Sequence, residues 1–183
     1  MTGAEAVVTF WREAGRQKWF TKDDAFDQAI HDHFRDLHFR AARNEFPDWI
    51  ETPEGALALM ILLDQFPRNL FRGSGHAFAT DPLALSLARE AIARGHDRAV
   101  EPELAAFFYL PFEHSEDLAN QERSVELFKA LHERAGDQDY LDYAIVHRDI
   151  IARFGRFPHR NAALGRETTA DEQAFLDEGG FKG

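Results

Sequence analysis

The 183-residue chain contains no cysteine. Disulfides, thiolate catalysis and cysteine-based zinc or iron–sulfur centres are therefore excluded. Lysine is scarce as well: of 21 basic residues only Lys18, Lys22, Lys129 and Lys182 are not arginine. The bases face 32 acids, for a formal charge of −11, so the basic face of a general nucleic-acid binder is not expected. No apolar run approaches the roughly 18 residues of a membrane-spanning helix. The first ten residues lack the basic start and apolar stretch of a secretory signal, which makes the cytoplasm the expected location. Extended two-residue alternation is also missing, so no sheet is expected. What remains is a chain 44% apolar and 29% charged. A chain of this length buries about 70% of its unfolded surface, enough for a core without staples, and one domain over residues 1–183 is expected.

The pattern that is present is helical. Phe26, Ile30, Phe34, Leu37 and Ala41 form one stripe at helical spacing after Thr21, where Thr21 and Asp24 resemble a capping box. Thr52 followed by Pro53 reads as an N-cap with proline in the first turn. The run Leu57 to Leu63 is apolar on nearly every side, as a central helix would be. Further helices are expected over Gly3–Ala14, from Thr80 to Gly95, from Glu101, over Asp117–Arg134 and over Asp139–Phe154, with Pro111 kinking or ending the fifth. Thr169 with Asp171 and Glu172 marks a last helical turn. The expected fold is all-α, with about seven to nine helices in antiparallel hairpins stacked into a short superhelix.

Three segments place polar residues where the apolar period continues. In Asp64-Gln65-Phe66-Pro67-Arg68-Asn69, Asp64 falls on the face of Leu57, Met60 and Ile61. A buried carboxylate needs a charged or hydrogen-bonded partner, and Arg68, one turn on, is the nearest. In Tyr109-Leu110-Pro111-Phe112-Glu113-His114-Ser115-Glu116 an apolar helix turns abruptly polar. A histidine beside two carboxylates suits acid–base work or a hard cation, or simply ends a helix in solvent. In the third, His147 lies on the stripe of Tyr140, Tyr143, Ile150 and Phe154. Between His147 and Glu167 five arginines (148, 153, 156, 160 and 166) meet only Asp149 and Glu167, a net of +3 that leaves −14 for the rest. Arginine is suited to planar, bidentate anion recognition. Some of these arginines must meet acids elsewhere, such as Asp64 or Glu116, or an anionic ligand. Phe66-Pro67-Arg68-Asn69 is echoed in Phe157-Pro158-His159-Arg160-Asn161. His31, His33 and His38 read as surface residues, and Trp11 and Trp19 as core or groove lining.

Together the three segments resemble the bacterial family called domain of unknown function 924, over almost the whole chain. Val8-Thr9-Phe10-Trp11 and Leu164-Gly165-Arg166 fit it too. Where many members read Pro-Phe-Met-His-Ser-Glu, this chain carries Glu113 before His114, which favours His114 and Glu116 over Glu113 as functional residues. The resemblance implies a tetratricopeptide-like helical fold. It implies no activity, and fold alone supplies none.

The leading expectation is a pocket for a small anionic molecule such as a carboxylate or phosphate metabolite. His114, Glu116 and His147 are the candidates for acid–base chemistry. Asp64, Arg68, Asn69, Asp149, Arg153, His159, Arg160 and Asn161 are the candidates for ligand binding. A metal held by His114, Glu116, His147 and Asp149 is a lesser alternative, and the residues name no cofactor. The rival is a non-enzymatic adaptor that binds a peptide in a groove lined by exposed Trp11, Trp19 and Phe20.

Overall fold

A computed structural model of the chain describes residues 3–181. Every regular element among them is helical. Contacts divide these residues into two compact units, residues 3–72 with 76–111 and residues 73–75 with 112–181.

The first unit contains α1 (Gly3–Trp19), α2 (Asp24–Ala42), α3 (Pro53–Met60), α4 (Phe66–Leu70), α5 (Asp81–Ala93) and most of α6 (Pro102–Glu113). Helix α1 is broken at Gly15, whose φ of 73° suits glycine, so the expected stop near Ala14 is a break and not an end. Helix α2 is capped by Asp23, whose carboxylate accepts from the backbone N–H groups of Ala25 and Phe26. Asp23 thus replaces the expected Thr21–Asp24 box, because the helix begins at Asp24 and Asp23 is the residue in the N-cap position, two and three residues before the free N–H groups. Thr52 caps α3 as expected, accepting from Gly55 N–H at 3.1 Å. Pro111 lies inside α6 and does not end it.

The core of this unit is aromatic. Trp11, Phe66 and Phe107 are fully buried, and Trp11 meets Phe66 and Phe107 edge-on at centroid distances of 5.6 and 5.5 Å, a favoured ring geometry. Trp19 is buried too and donates from Nε1 to the Trp11 carbonyl at 2.7 Å. The two tryptophans are therefore core, contrary to the exposed groove lining that the adaptor reading requires; Phe20 alone of the three is exposed.

The second unit contains α7 (Leu118–Ala135), α8 (Gln138–Phe154) and α9 (Ala170–Asp177), with a single 3₁₀ turn at Pro158–Arg160. Helices α7 and α8 are joined across Gly136, whose φ of 78° ends α7 in a left-handed cap, and they pack as an antiparallel pair. Phe128 of α7 stacks on Tyr140 of α8 near the turn. Helix α8 ends at Gly155, also left-handed. Ile150, Ile151 and Phe157 form the core beneath it, with Phe154, Phe175 and Phe181 against them. Tyr143, expected on the buried stripe, is exposed; Ala144 and Ile151 take the inward positions instead.

Candidate ligand site

The first polar segment lies in the first unit and begins with a backbone irregularity. Residues Ile61–Gln65 form a π-helical turn between α3 and α4, and Phe66 N–H reaches back five residues to Ile61. The Leu62 carbonyl thereby loses its usual partner, and His38 Nδ1 donates to it at 2.8 Å. Pro67 has no N–H to offer the Leu63 carbonyl, and the Thr80 hydroxyl donates there at 2.5 Å. The Asp64 carbonyl accepts from Arg68 Nη1. The two carbonyls released by the turn and the proline, those of Leu62 and Leu63, are thus each met by a side chain, as buried acceptors require. His38, expected on the surface, is buried for this reason, while burial holds its pKa below the ordinary histidine value.

Asp64 is fully buried. Gln65 Nε2 donates to its Oδ2 at 2.6 Å, and Arg68 Nη1 lies 3.7 Å from its Oδ1. Arg68 also makes a two-pronged bond to Asp81, both arms at 3.1 Å. Asn69 donates to Asp27 at 2.7 Å, and Asp27 also accepts from Arg72 at 2.9 Å. Burial raises the Asp27 pKa, but Arg72 and Asn69 outweigh it and hold it below the ordinary value. Asp64, Arg68 and Asn69 are therefore engaged with the chain itself.

The second and third segments meet within the second unit. Glu116 accepts from the Phe157 N–H at 2.7 Å and from both terminal nitrogens of Arg166 at 2.6 and 3.0 Å. Burial acts to raise its pKa, yet these bonds hold it below the usual carboxylate range. Arg166 continues through Nε to Asn161 Oδ1 at 2.9 Å. Asn161 donates to Glu172 at 3.2 Å, and Glu172 takes Arg156 on both oxygens at 2.6 and 2.8 Å. Glu172 also closes a capping box with Thr169 at the start of α9. The Arg156 bond, opposed by desolvation, is the main reason its pKa falls to about 2. Five polar residues from four stretches of chain thus form one continuous network. Arg156, Arg166 and Glu172 were outside the expected site; the capping signal at Thr169 was legible, but not the second use of its glutamate.

Beside this network stands a histidine cluster. His147, on the inward face of α8, is buried. Its Nδ1 lies 2.8 Å from the Tyr143 carbonyl and 3.4 Å from Glu113 Oε1. A carbonyl only accepts, so Nδ1 carries the hydrogen and Nε2 keeps its lone pair. Burial pushes the His147 pKa down to about 3, the Tyr143 bond resisting and the charges of His114, Arg160 and His159 lowering it further. The His114 ring is centred 6.5 Å from that of His147. Arg160, buried, donates to the His114 carbonyl at 3.1 Å and stacks over Phe157 at 4.5 Å. Phe181 lies 4.5 Å from the His147 ring and 5.3 Å from that of His159. Glu113, disfavoured by the family pattern and expected to be solvated at a helix end, is buried against His147.

Asp149 and Arg153 stand apart. Asp149 pairs with its neighbour Arg148 at 2.6 Å on the surface, not one turn along with Arg153. Arg153 stacks on Phe154 at 4.5 Å. Of the eleven expected site residues, His114, His147, His159 and Arg160 converge on one place, and Glu116 and Asn161 belong to the adjoining network. Among the described residues no group of three or more histidine, aspartate or glutamate side chains is placed to hold a metal.

Two surface clefts accompany these features. One of about 300 Å³ in the first unit is lined by Val8, Leu57, Val100 and the Arg12–Glu101 pair among others. One of about 600 Å³ in the second is lined by Arg156, Arg166, Glu167, Thr168 and Thr169. Its two arginines are matched by Glu172 and Glu116, so it presents no net positive charge.

The regular structure of the described residues is entirely helical, with the three polar segments following one another in order. The profile of the family described as "Bacterial protein of unknown function (DUF924)" matches residues 7–180, and the chain belongs to that family. A solved structure titled "Structure of Protein of Unknown Function ATU0120 from Agrobacterium tumefaciens" is 56% identical, with a TM-score of 0.89 over 96% of this chain and 97% of that one. No curated protein matches the chain. No helix among the described residues is long and apolar enough to cross a membrane.

Proposed function

We propose that the second unit binds a small oxyanion, a phosphate or carboxylate of the cytoplasm, at the cluster of His114, His147, His159 and Arg160. One observation carries this reading. His147, His159 and Arg160 gather around Phe157, with His114 beside His147, near enough that the charges of the other three oppose protonation of His147. Like charges brought together destabilise one another, and an anion between them turns that repulsion into attraction. Arg160 supplies a planar, charged donor for such an ion, and the neutral His147 offers Nε2 as an acceptor. The oxyanion that suits both is one that retains a proton, such as hydrogen phosphate.

This reading assigns binding to the cluster. With a pKa of about 3, His147 is a hydrogen-bond acceptor and a poor proton shuttle near neutrality. Glu116, bound by Arg166, holds the stretch from Phe157 to Arg166 in place. Proton transfer, where the family performs any, falls to His114 or His159. Asp64, Arg68 and Asn69 serve the first unit's backbone. The experiment is a thermal-shift series with inorganic phosphate, pyrophosphate, and mono- and dicarboxylates, on the wild type and Arg160→Gln. A ligand at a hundred times its dissociation constant stabilises by about 2.7 kcal/mol. A concentration-dependent rise in Tm that Arg160→Gln abolishes supports the site. No rise with any anion, or an equal rise in the variant, defeats it.

The second reading, a tetratricopeptide-like adaptor for a peptide, is favoured by Tyr143 and Val146, which lie exposed three residues apart on α8. It predicts that Tyr143→Ser with Val146→Ser removes partner binding and leaves any anion response intact.

A further inference from the structure

The turn between α6 and α7 carries the second polar segment, and side chains hold its backbone carbonyl by carbonyl. The Glu113 carbonyl is one of the last in α6, where helical partners run out. Gln121 Nε2 donates to it at 2.6 Å and to the Ser115 carbonyl at 2.7 Å. The His114 carbonyl between them accepts from Arg160 Nη1 at 3.1 Å. Asn120, beside Gln121, donates to the Ser115 hydroxyl at 2.9 Å. The backbone on both sides of His114 is therefore fixed from α7. Gln121 does this from a costly place, fully buried on the inner face of that helix. Carbonyl oxygens only accept, so the two bonds fix its NH2 group toward the turn and direct Oε1 away from it. Oε1 is buried and meets no donor among the described residues. An apolar side chain of the same shape would escape that cost. Packing therefore does not account for a glutamine here; the two donated bonds do.

Resting on the anion-site reading, we propose that Gln121 is a positioning residue of the histidine cluster: by holding the carbonyls on either side of His114, it sets where that imidazole stands beside His147. The two rings are centred 6.5 Å apart, at 62°. Gln121 touches no ligand and acts through the turn alone. Binding sites hold their groups to within about 0.5 Å. Two carbonyls left without donors would turn toward solvent and carry His114 with them.

Gln121→Met keeps the length of the side chain and removes both donors. Leu131→Ala, about 15 Å further along the same helix, weakens the same buried face without touching the turn and serves as the comparison. Inorganic phosphate is titrated into the wild type and both variants while NMR follows the His114 imidazole. Gln121→Met is expected to weaken phosphate binding about fivefold or more and to shift the His114 resonances before any phosphate is added. Leu131→Ala, although destabilised, matches the wild type in both. Wild-type values in Gln121→Met, or the same changes in Leu131→Ala, overturn the proposal. A wild type that binds no phosphate defeats the anion-site reading; the ligand-free His114 resonances of the two variants then decide the positioning role. The wild type also gives a readout that needs no variant. The Gln121 side-chain amide, bound to two carbonyls, should exchange its protons for deuterium about a hundredfold more slowly than that of the exposed Gln17. Equal exchange overturns the proposal even where Gln121→Met fails to fold.

Discussion

His147 and Glu172 are where single side chains control the molecule most. In the folded chain His147 resists protonation down to about pH 3, against an ordinary value of 6.5. The unfolded chain therefore takes up a proton that the folded chain refuses, and stability falls as pH drops below 6.5. The slope from one such group approaches about 1.4 kcal/mol per pH unit, so about 2 kcal/mol is lost between pH 6.5 and 5. Replacing it in His147→Phe should flatten that part of the curve in denaturant melts; an unchanged slope means the ring is solvated. Glu172 acts lower. Its pKa is depressed from 4.5 to about 2, so its contribution is complete above 4.5 and disappears as pH falls toward 2. Glu172→Gln should lower Tm at pH 7 and remove the acid dependence below 4.5. The sequence made the histidine on an apolar stripe visible, since His147 interrupts a helical period. Glu172 was readable only as a cap, because its bond to Arg156 closes a loop of 16 residues that no local pattern encodes.

At the scale of elements, the π-helical turn and Pro67 explain the first polar segment without a ligand. Thr80→Val deletes the donor to a buried carbonyl and should cost about 1–3 kcal/mol. Pro67→Ala restores an N–H near the same carbonyl, so Thr80→Val should cost less in that background. A double-mutant cycle by urea unfolding measures this coupling; additive effects would show that the hydroxyl and the proline act independently. The helices themselves were largely legible: Thr52 and Thr169 mark starts through caps that depend on adjacent residues, and α7 and α8 end at Ala135 and Phe154, within a residue of the expected limits. That α6 continues past Pro111 was not, because a helix that tolerates proline is stabilised by distant packing. Nor was His38, whose burial answers a carbonyl released 24 residues away.

For the whole molecule, most of the charge surplus between His147 and Glu167 is answered within the chain. Arg156 and Arg166 answer Glu172 and Glu116, Arg148 answers Asp149, and Arg153 lies on aromatic rings. Arg68 serves Asp64 and Asp81 in the other unit. Arg68→Ala takes the cation away from a fully buried carboxylate that keeps its Gln65 bond and should cost about 3–5 kcal/mol, with no effect on the anion response of the second unit; a changed response would contradict the separate roles given to the two. The sequence offered one pocket built from three segments because equal polar intrusions look equal. Their partners separate them: Asp27 and Asp81 for the first, Glu116 and Glu172 for the third, none adjacent in sequence. The most direct test of the histidine cluster follows the imidazole resonances of His114, His147 and His159 by NMR during a titration with inorganic phosphate, in wild type and Arg160→Gln. The account predicts that the three move together along one saturable curve in the wild type and stay still in the variant. Resonances that do not move, or move alike in both proteins, contradict it.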